Sequence, residues 1–191
     1  MKHRELAYCG IFGAAALLLP VLFHLIHLGH IFMPMYLPLV TLAFFVRPGM
    51  SALTALVVPL LSGVVTGMPP FYPPVAPVMA LEIALMTGLI GTVRLLFPRV
   101  KTLMLLIPVL AIGRVAGAAL YFLLAGAMGL PAKFVAGISL LSGWPGLVIM
   151  IIAIPTIVKL IPSLNMRKSS AALTIYSIRI TNRFRGIRCR E

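Results

Sequence analysis

The chain has 191 residues, of which 61% are hydrophobic, and its 16 Lys and Arg against 3 Asp and Glu give a net charge of +13. Soluble domains contain about 45–50% apolar residues, so this composition excludes a soluble globular protein. The charge does not indicate nucleic-acid binding, because the basic residues lie between apolar segments or in the C-terminal tail, where they act as topology signals.

Six apolar segments follow one another along the chain, at 6–28, 36–46, 51–66, 75–96, 102–127 and 135–161. A helix needs about 20 apolar residues to cross a hydrocarbon core about 30 Å thick. The second and third segments are short, and Arg47-Pro48-Gly49 between them is expected to form a helix-breaking turn. An alternative reading merges these two segments or buries them as re-entrant segments. We predict an all-α integral membrane bundle of six transmembrane helices within residues 1–162.

The basic residues predict the orientation of this bundle. With six spans, the N-terminus, the second and fourth connections and the C-terminus fall on one side, and they contain nearly all the basic residues. The connections on the opposite side contain only Lys133. Because cytoplasmic loops are enriched in Lys and Arg, both termini are predicted to be cytoplasmic. Arg47, Arg94 and Arg99 are then expected to snorkel to water at that interface, where their replacement costs little. Residues 163–191 are predicted to be a basic cytoplasmic tail, either flexible and solvated or lying on anionic lipid.

The three connections on the outer side lie at 29–35, 67–74 and 128–134. The first two are rich in Pro, Met and aromatic residues. Proline lowers the entropy lost on ordering, and Met and aromatic side chains offer apolar contact area to a ligand, so these loops could cover an outward-facing pocket. Anchoring of aromatic residues at headgroup level explains the same composition, and the sequence leaves both readings open.

Seven short motifs occur in order along residues 5–162. They are PVLFH at 20–24, LGHIFMPMYLP at 28–38, PLLS at 59–62, TGMPP at 66–70, MALE at 79–82, GRVAG at 113–117 and GWPG at 143–146. In their order and spacing the chain resembles the substrate-binding S components of energy-coupling factor (ECF) transporters, the vitamin importers of prokaryotes. The resemblance implies a multi-pass protein of the prokaryotic cell membrane that captures a vitamin or related small molecule with high affinity.

The resemblance also implies the partners of the chain. S components bind their ligand at the extracellular face, dock onto a transmembrane coupling subunit that carries two cytoplasmic ATPase subunits, and are thought to topple in the membrane to deliver the ligand. Independently, the sequence contains no Gly-x-x-x-x-Gly-Lys-[Ser/Thr] phosphate loop. We therefore expect a transport subunit without its own ATPase, which is not an enzyme and needs no cofactor.

Small residues recur along the first span. Gly10 and Ala14, like Cys9 and Gly13, are spaced at i and i+4, and such a face lets another helix approach closely. The resemblance implies that Gly10, Gly13, Ala14 and Ala15 dock with the coupling subunit. Ordinary packing within the bundle is the alternative.

Two charged residues lie deep within predicted spans. Glu82 lies about six residues, or about 9 Å, below the outer end of the fourth span, and Arg114 lies near the middle of the fifth. A charge at such a depth must be paired, neutralised or in contact with water. One hypothesis places both at the floor of a ligand pocket, with Arg114 binding an acidic ligand group and Glu82 accepting hydrogen bonds. A second hypothesis pairs them with each other, and the two are not exclusive.

Histidine and aromatic residues complete the candidate site. His24, His27 and His30 are spaced at i, i+3 and i+6, which raises the hypothesis of a metal site. Gly29 is expected to end the helix before His30, and no carboxylate or thiolate lies nearby in the sequence, so no metal site is predicted. His30 is instead expected to bond to the ligand or to loop carbonyls. The candidates for stacking on a ligand ring are Tyr36, Phe71, Tyr72, Trp144 and Tyr121.

Two other functional classes stay open, an intramembrane enzyme and a structural membrane assembly factor. The chain has no aspartate and one intramembrane glutamate, which excludes paired-carboxylate catalysis and leaves only Ser and His combinations. The sequence does not name the ligand, and an apolar or aromatic body with one acidic group would suit the predicted site.

Overall fold

The structure is a computed structural model that describes residues 2–25, 34–72, 74–127 and 144–160. In these ranges the chain forms helices joined by turns, without strands, which confirms the all-α prediction. The helices are α1 (Lys2–Leu25), α2 (Tyr36–Leu42), α3 (Pro48–Thr66), α4 (Val75–Leu96), α5 (Thr102–Ala127) and α6 (Trp144–Leu160). His30, Lys133 and the predicted tail lie outside the described residues.

Four of these helices are long and apolar enough to cross a membrane, over His3–Phe23, Pro48–Thr66, Val75–Leu96 and Thr102–Leu124. A fifth apolar stretch, Pro145–Leu160, is shorter. The described residues therefore form a multi-pass helical membrane protein. The count of six spans and the cytoplasmic placement of both termini stay predictions.

The start of α3 differs from the prediction. Pro48 and Gly49 do not form a tight turn but are the first residues of the helix, with Arg47 as the N-cap residue in an extended conformation. Proline is well suited to the first helical position, where its missing N–H leaves no bond unmade. The third segment thereby gains a turn of helix and becomes long enough to span the bilayer.

The second predicted span is also different. Its helical part, α2, has 7 residues and rises about 10 Å, a third of the hydrocarbon core. Turns continue the segment to Val46, and nearly all its side chains are buried, including Leu39 and Phe44. The segment is therefore enclosed by protein instead of facing lipid, as the alternative reading allowed. Irregular backbone is tolerated in a membrane protein where it is buried in this way.

Arg94 fixes the C-terminal end of this buried segment. Its Nη1 donates a hydrogen bond of 2.9 Å to the carbonyl oxygen of Phe44, and its guanidinium lies 4.8 Å from the centroid of the Phe44 ring. The last carbonyl groups of a helix lack partners within the helix, and Arg94 supplies one just beyond α2. Arg94 is thus a structural contact, and the expectation that it simply snorkels to water is wrong.

The helices pack mainly in chain order, with the most extensive contact between α3 and α4, followed by α4 and α5. Helix α1 packs against α2 and α3, and α6 against α2 and α5. The core contains side chains from all six described helices. They include Leu39, Met86, Ile90, Leu106 and Ile154.

Several contacts bring basic residues to one end of the bundle. The Nε of Arg47 lies 3.3 Å from Oε1 of Glu5 near the start of α1. Pro48 packs against Gly91 near the end of α4, so close that a Cβ on this glycine would lie 2.8 Å from the proline Cα. The α4–α5 connection follows at the same end. We term this the basic end and define it by Arg4, Arg47, Arg94, Arg99 and Lys101.

Candidate functional site

Side chains from three helices meet at a polar cluster formed by Tyr36, Glu82 and Arg114. The Tyr36 hydroxyl donates a hydrogen bond of 2.8 Å to Oε2 of Glu82. Nη1 of Arg114 lies 3.4 Å from Oε1 of the same carboxylate, and the guanidinium lies 5.2 Å from the centroid of the Tyr36 ring. Each of the three residues therefore contacts the other two, and the hypothesis that Glu82 pairs with Arg114 agrees with the structure.

The local sequence explains how these side chains can meet. Arg114 lies between two glycines of α5, Gly113 and Gly117, which face α4. A Cβ at Gly117 would lie 2.5 Å from Oε2 of Glu82 and 2.7 Å from its Cδ, and a Cβ at Gly113 would overlap with Met86. Glycines at i and i+4 let two membrane helices approach closely. The GRVAG motif therefore forms a close helix–helix contact and also contains the arginine of the ion pair.

The cluster is enclosed by protein. The side chain of Glu82 is 3% exposed and that of Arg114 is 12% exposed. Within the described residues, Oε1 of Glu82 accepts no hydrogen bond, so its contact with Arg114 is an ion pair without hydrogen-bond geometry. Burying two charges is costly, and their attraction offsets this cost only when the remaining polar atoms are also satisfied. The carboxylate therefore holds three helices together and keeps one acceptor that a donor group could use.

The aromatic candidates of the α3–α4 loop lie outside this cluster. Phe71 and Tyr72 are exposed, and the Phe71 ring rests on α3 where Gly63 leaves room, since a Cβ there would lie 2.8 Å from Cε2 of the ring. The Ser62 hydroxyl donates a hydrogen bond of 2.7 Å to the carbonyl of Met68, which ties the loop to α3. The α3–α4 loop thus has a defined shape, and a role in covering a ligand stays a prediction.

Two other predicted contacts cannot be placed. His30, most of the first outer connection and all of the third lie outside the described residues. Trp144 is the first residue of α6, and its ligand contact stays a prediction. Tyr121, the last aromatic candidate, is buried on α5.

The four docking candidates on α1 face different surroundings. Gly13 is buried, and a Cβ there would lie 3.4 Å from Cγ2 of Val58 on α3, so Gly13 packs within the bundle. Ala15 is half-buried, whereas Gly10 and Ala14 are exposed. The exposed pair at i and i+4 is the part of the predicted face that another helix can reach.

Two other kinds of site, a metal-ligand cluster and a surface concavity, compare with the polar cluster as follows. No group of three or more His, Cys, Asp or Glu that could hold a metal ion occurs in the part of the chain that the structure describes. A concavity of about 400 Å³ lies in the α4–α5 connection at the basic end and not at the polar cluster. The polar cluster is therefore the candidate binding site, and the concavity is a separate feature.

Comparisons with known proteins assign no family. No family model matches the chain, and neither the characterised proteins nor the solved structures contain a match to it.

Proposed function

We propose that this chain is the substrate-capture subunit of an ECF-type importer that takes up a vitamin or related small molecule into a prokaryotic cell. Its partners would be a transmembrane coupling subunit and two cytoplasmic ATPase subunits. The observation that carries the proposal is the polar cluster. A carboxylate, a guanidinium and a phenol meet there within an otherwise apolar bundle, and intramembrane ionisable groups of this kind mark binding sites and transport pathways.

The depth of the cluster supports this role. Glu82 lies seven residues after Val75, which places it about 10 Å from the start of α4. It is separated from Arg94, at the basic end, by twelve residues or about 18 Å of the same helix. A ligand that approached from the side opposite to the basic end would reach Glu82 beneath the α3–α4 loop.

The chemistry of the cluster supports a small ligand with both polar and apolar parts. Arg114 retains partial exposure and can bind a carboxylate or another acceptor, and Oε1 of Glu82 can accept a hydrogen bond. The Tyr36 ring adds an apolar and aromatic surface between them. Pockets for small molecules generally combine many apolar groups with a few polar groups that fix the ligand's orientation.

The surface of α1 supports the proposed partner. Only 17% of an 18-residue apolar stretch of this helix is buried. Large apolar side chains such as Ile11 and Leu18 point outward beside Gly10 and Ala14. A helix with this surface can face lipid or pack closely against a second membrane helix. We assign the Gly10 and Ala14 face to the coupling subunit.

The proposal is tested by purifying the tagged full-length chain from its own cells in a mild detergent. Native mass spectrometry would identify a bound small molecule, and peptide sequencing would identify co-purifying subunits. We expect both a ligand and ATPase subunits. Gly10→Leu with Ala14→Leu should lose the ATPase subunits and keep the ligand. Gly126 is another exposed small residue, with no other described side chain close to it, and Gly126→Leu should keep both.

Two results would contradict the proposal. One is the absence of any ATPase subunit from the wild-type preparation. The other is uptake of the ligand into vesicles by the purified chain alone, driven by an ion gradient, because a substrate-capture subunit cannot transport by itself.

A further inference from the structure

The α4–α5 connection has a defined shape at the basic end. The backbone N–H of Phe97 donates a hydrogen bond of 2.7 Å to the carbonyl of Val93, and that of Val100 donates one of 3.2 Å to the carbonyl of Phe97. This turn borders the concavity of about 400 Å³. The concavity is lined by Leu96, Phe97, Pro98, Arg99 and Val100.

Two cations of this connection have no side-chain partner among the described residues. Arg47 pairs with Glu5 and Arg94 bonds to a backbone carbonyl, but the exposed side chains of Arg99 and Lys101 make no ion pair or hydrogen bond with any described residue. The sequence contains no acidic residue between 83 and 190. The electrostatic potential at the connection is therefore positive and suits an anionic group.

Large apolar side chains lie beside these cations. Leu96 is 68% exposed and Phe97 is 61% exposed, and Val100 is partly exposed as well. Because the connection joins two helices that are long enough to span the bilayer, it lies at the depth of the lipid headgroups. A phospholipid at that depth matches both kinds of side chain, because its phosphate can bind the cations and its acyl chains can pack against the apolar side chains.

We propose that the α4–α5 connection binds one anionic phospholipid. Arg99 and Lys101 contact its phosphate and anionic headgroup, and Leu96 and Phe97 pack against its acyl chains. Basic clusters next to a membrane helix attract anionic headgroups in this way, and each basic residue near an anionic surface contributes about 1 kcal/mol. This site is independent of the polar cluster and of the proposed import function.

The test uses native mass spectrometry of the full-length protein in detergent, equilibrated with equal amounts of phosphatidylglycerol and phosphatidylcholine. We expect one phosphatidylglycerol to stay bound after the other lipids have dissociated. Arg99→Gln with Lys101→Gln should weaken its binding roughly 30-fold, the effect of two such residues. Arg4→Gln with Lys159→Gln removes the same number of exposed charges outside the concavity and should leave the binding unchanged.

Two further measurements distinguish a lipid site from diffuse electrostatic attraction and from a site for free phosphate. Phe97→Ser should weaken phosphatidylglycerol binding without removing a charge, and 10 mM inorganic phosphate should not displace the lipid. The proposal is overturned if the two double variants weaken binding equally, which would indicate diffuse attraction, or if phosphatidylcholine is retained as well as phosphatidylglycerol. Displacement by inorganic phosphate would indicate a phosphate site in place of a lipid site.

Discussion

Replacing Arg114 by alanine is expected to be among the most damaging single changes in this protein. The Glu82 side chain is 3% exposed in the wild type, and without Arg114 its carboxylate keeps the hydrogen bond from the Tyr36 hydroxyl but loses its ion pair. Removing one member of a buried ion pair costs about 3–5 kcal/mol, because the remaining charge is uncompensated. The free energy of unfolding, measured by titration with sodium dodecyl sulfate in mixed micelles, should fall by this amount.

The structure specifies how that loss can be reversed. Arg114→Met with Glu82→Leu replaces the pair by apolar groups and should recover most of the stability. The Tyr36 hydroxyl would then lack its acceptor at a cost of about 1–3 kcal/mol, so a third change, Tyr36→Phe, should recover the remainder. The reasoning is refuted if Arg114→Ala leaves both the free energy of unfolding and ligand retention unchanged, or if the double variant is no more stable than the single one.

Three further predictions use the same titration. Arg94→Ala should lower the free energy of unfolding by about 1.5–3 kcal/mol, because a charged hydrogen bond to the end of the buried segment is lost. Arg99→Ala should have little effect, and equal effects of the two changes would contradict the structural role of Arg94. Gly117→Ala should cost about 1–3 kcal/mol through overpacking against the buried carboxylate, while Gly126→Ala, with open space around it, should be neutral or stabilising. Ser62→Ala should cost about 1 kcal/mol and speed proteolysis of the α3–α4 loop, and unchanged proteolysis would show that this hydrogen bond does not hold the loop.

The sequence predicted the long helices, and it offered the ion pair as one of two hypotheses, both for physical reasons. Helix α4 and helix α5 begin and end at the predicted residues, because a helix that crosses the bilayer needs an apolar stretch of a set length. Pairing of Glu82 with Arg114 was one of the two hypotheses because a charge at that depth needs a partner and the chain offers very few. Tyr36 was predicted only as a ligand-stacking residue, and its hydrogen bond to Glu82 was missed because it depends on where α2 begins.

Other features required three-dimensional contacts. Apolarity alone does not distinguish a segment that faces lipid from one enclosed by protein, so the buried 36–46 segment resembled a span. Arg94 resembled an interfacial arginine because nothing local reveals the carbonyl that it contacts. In contrast, the role of Gly113 and Gly117 could have been predicted, because their i and i+4 spacing in GRVAG is a known signal for close helix packing.

Ligand retention by the triple variant Tyr36→Phe, Glu82→Leu and Arg114→Met tests the central claim most directly. The variant keeps an apolar core and the exposed face of α1, so it should unfold like the wild type and still co-purify with the ATPase subunits. Native mass spectrometry of wild-type protein and variant, purified in parallel from the same cells, would compare the bound small molecule. The account predicts a ligand on the wild type and none on the variant, and equal retention by both proteins would contradict it.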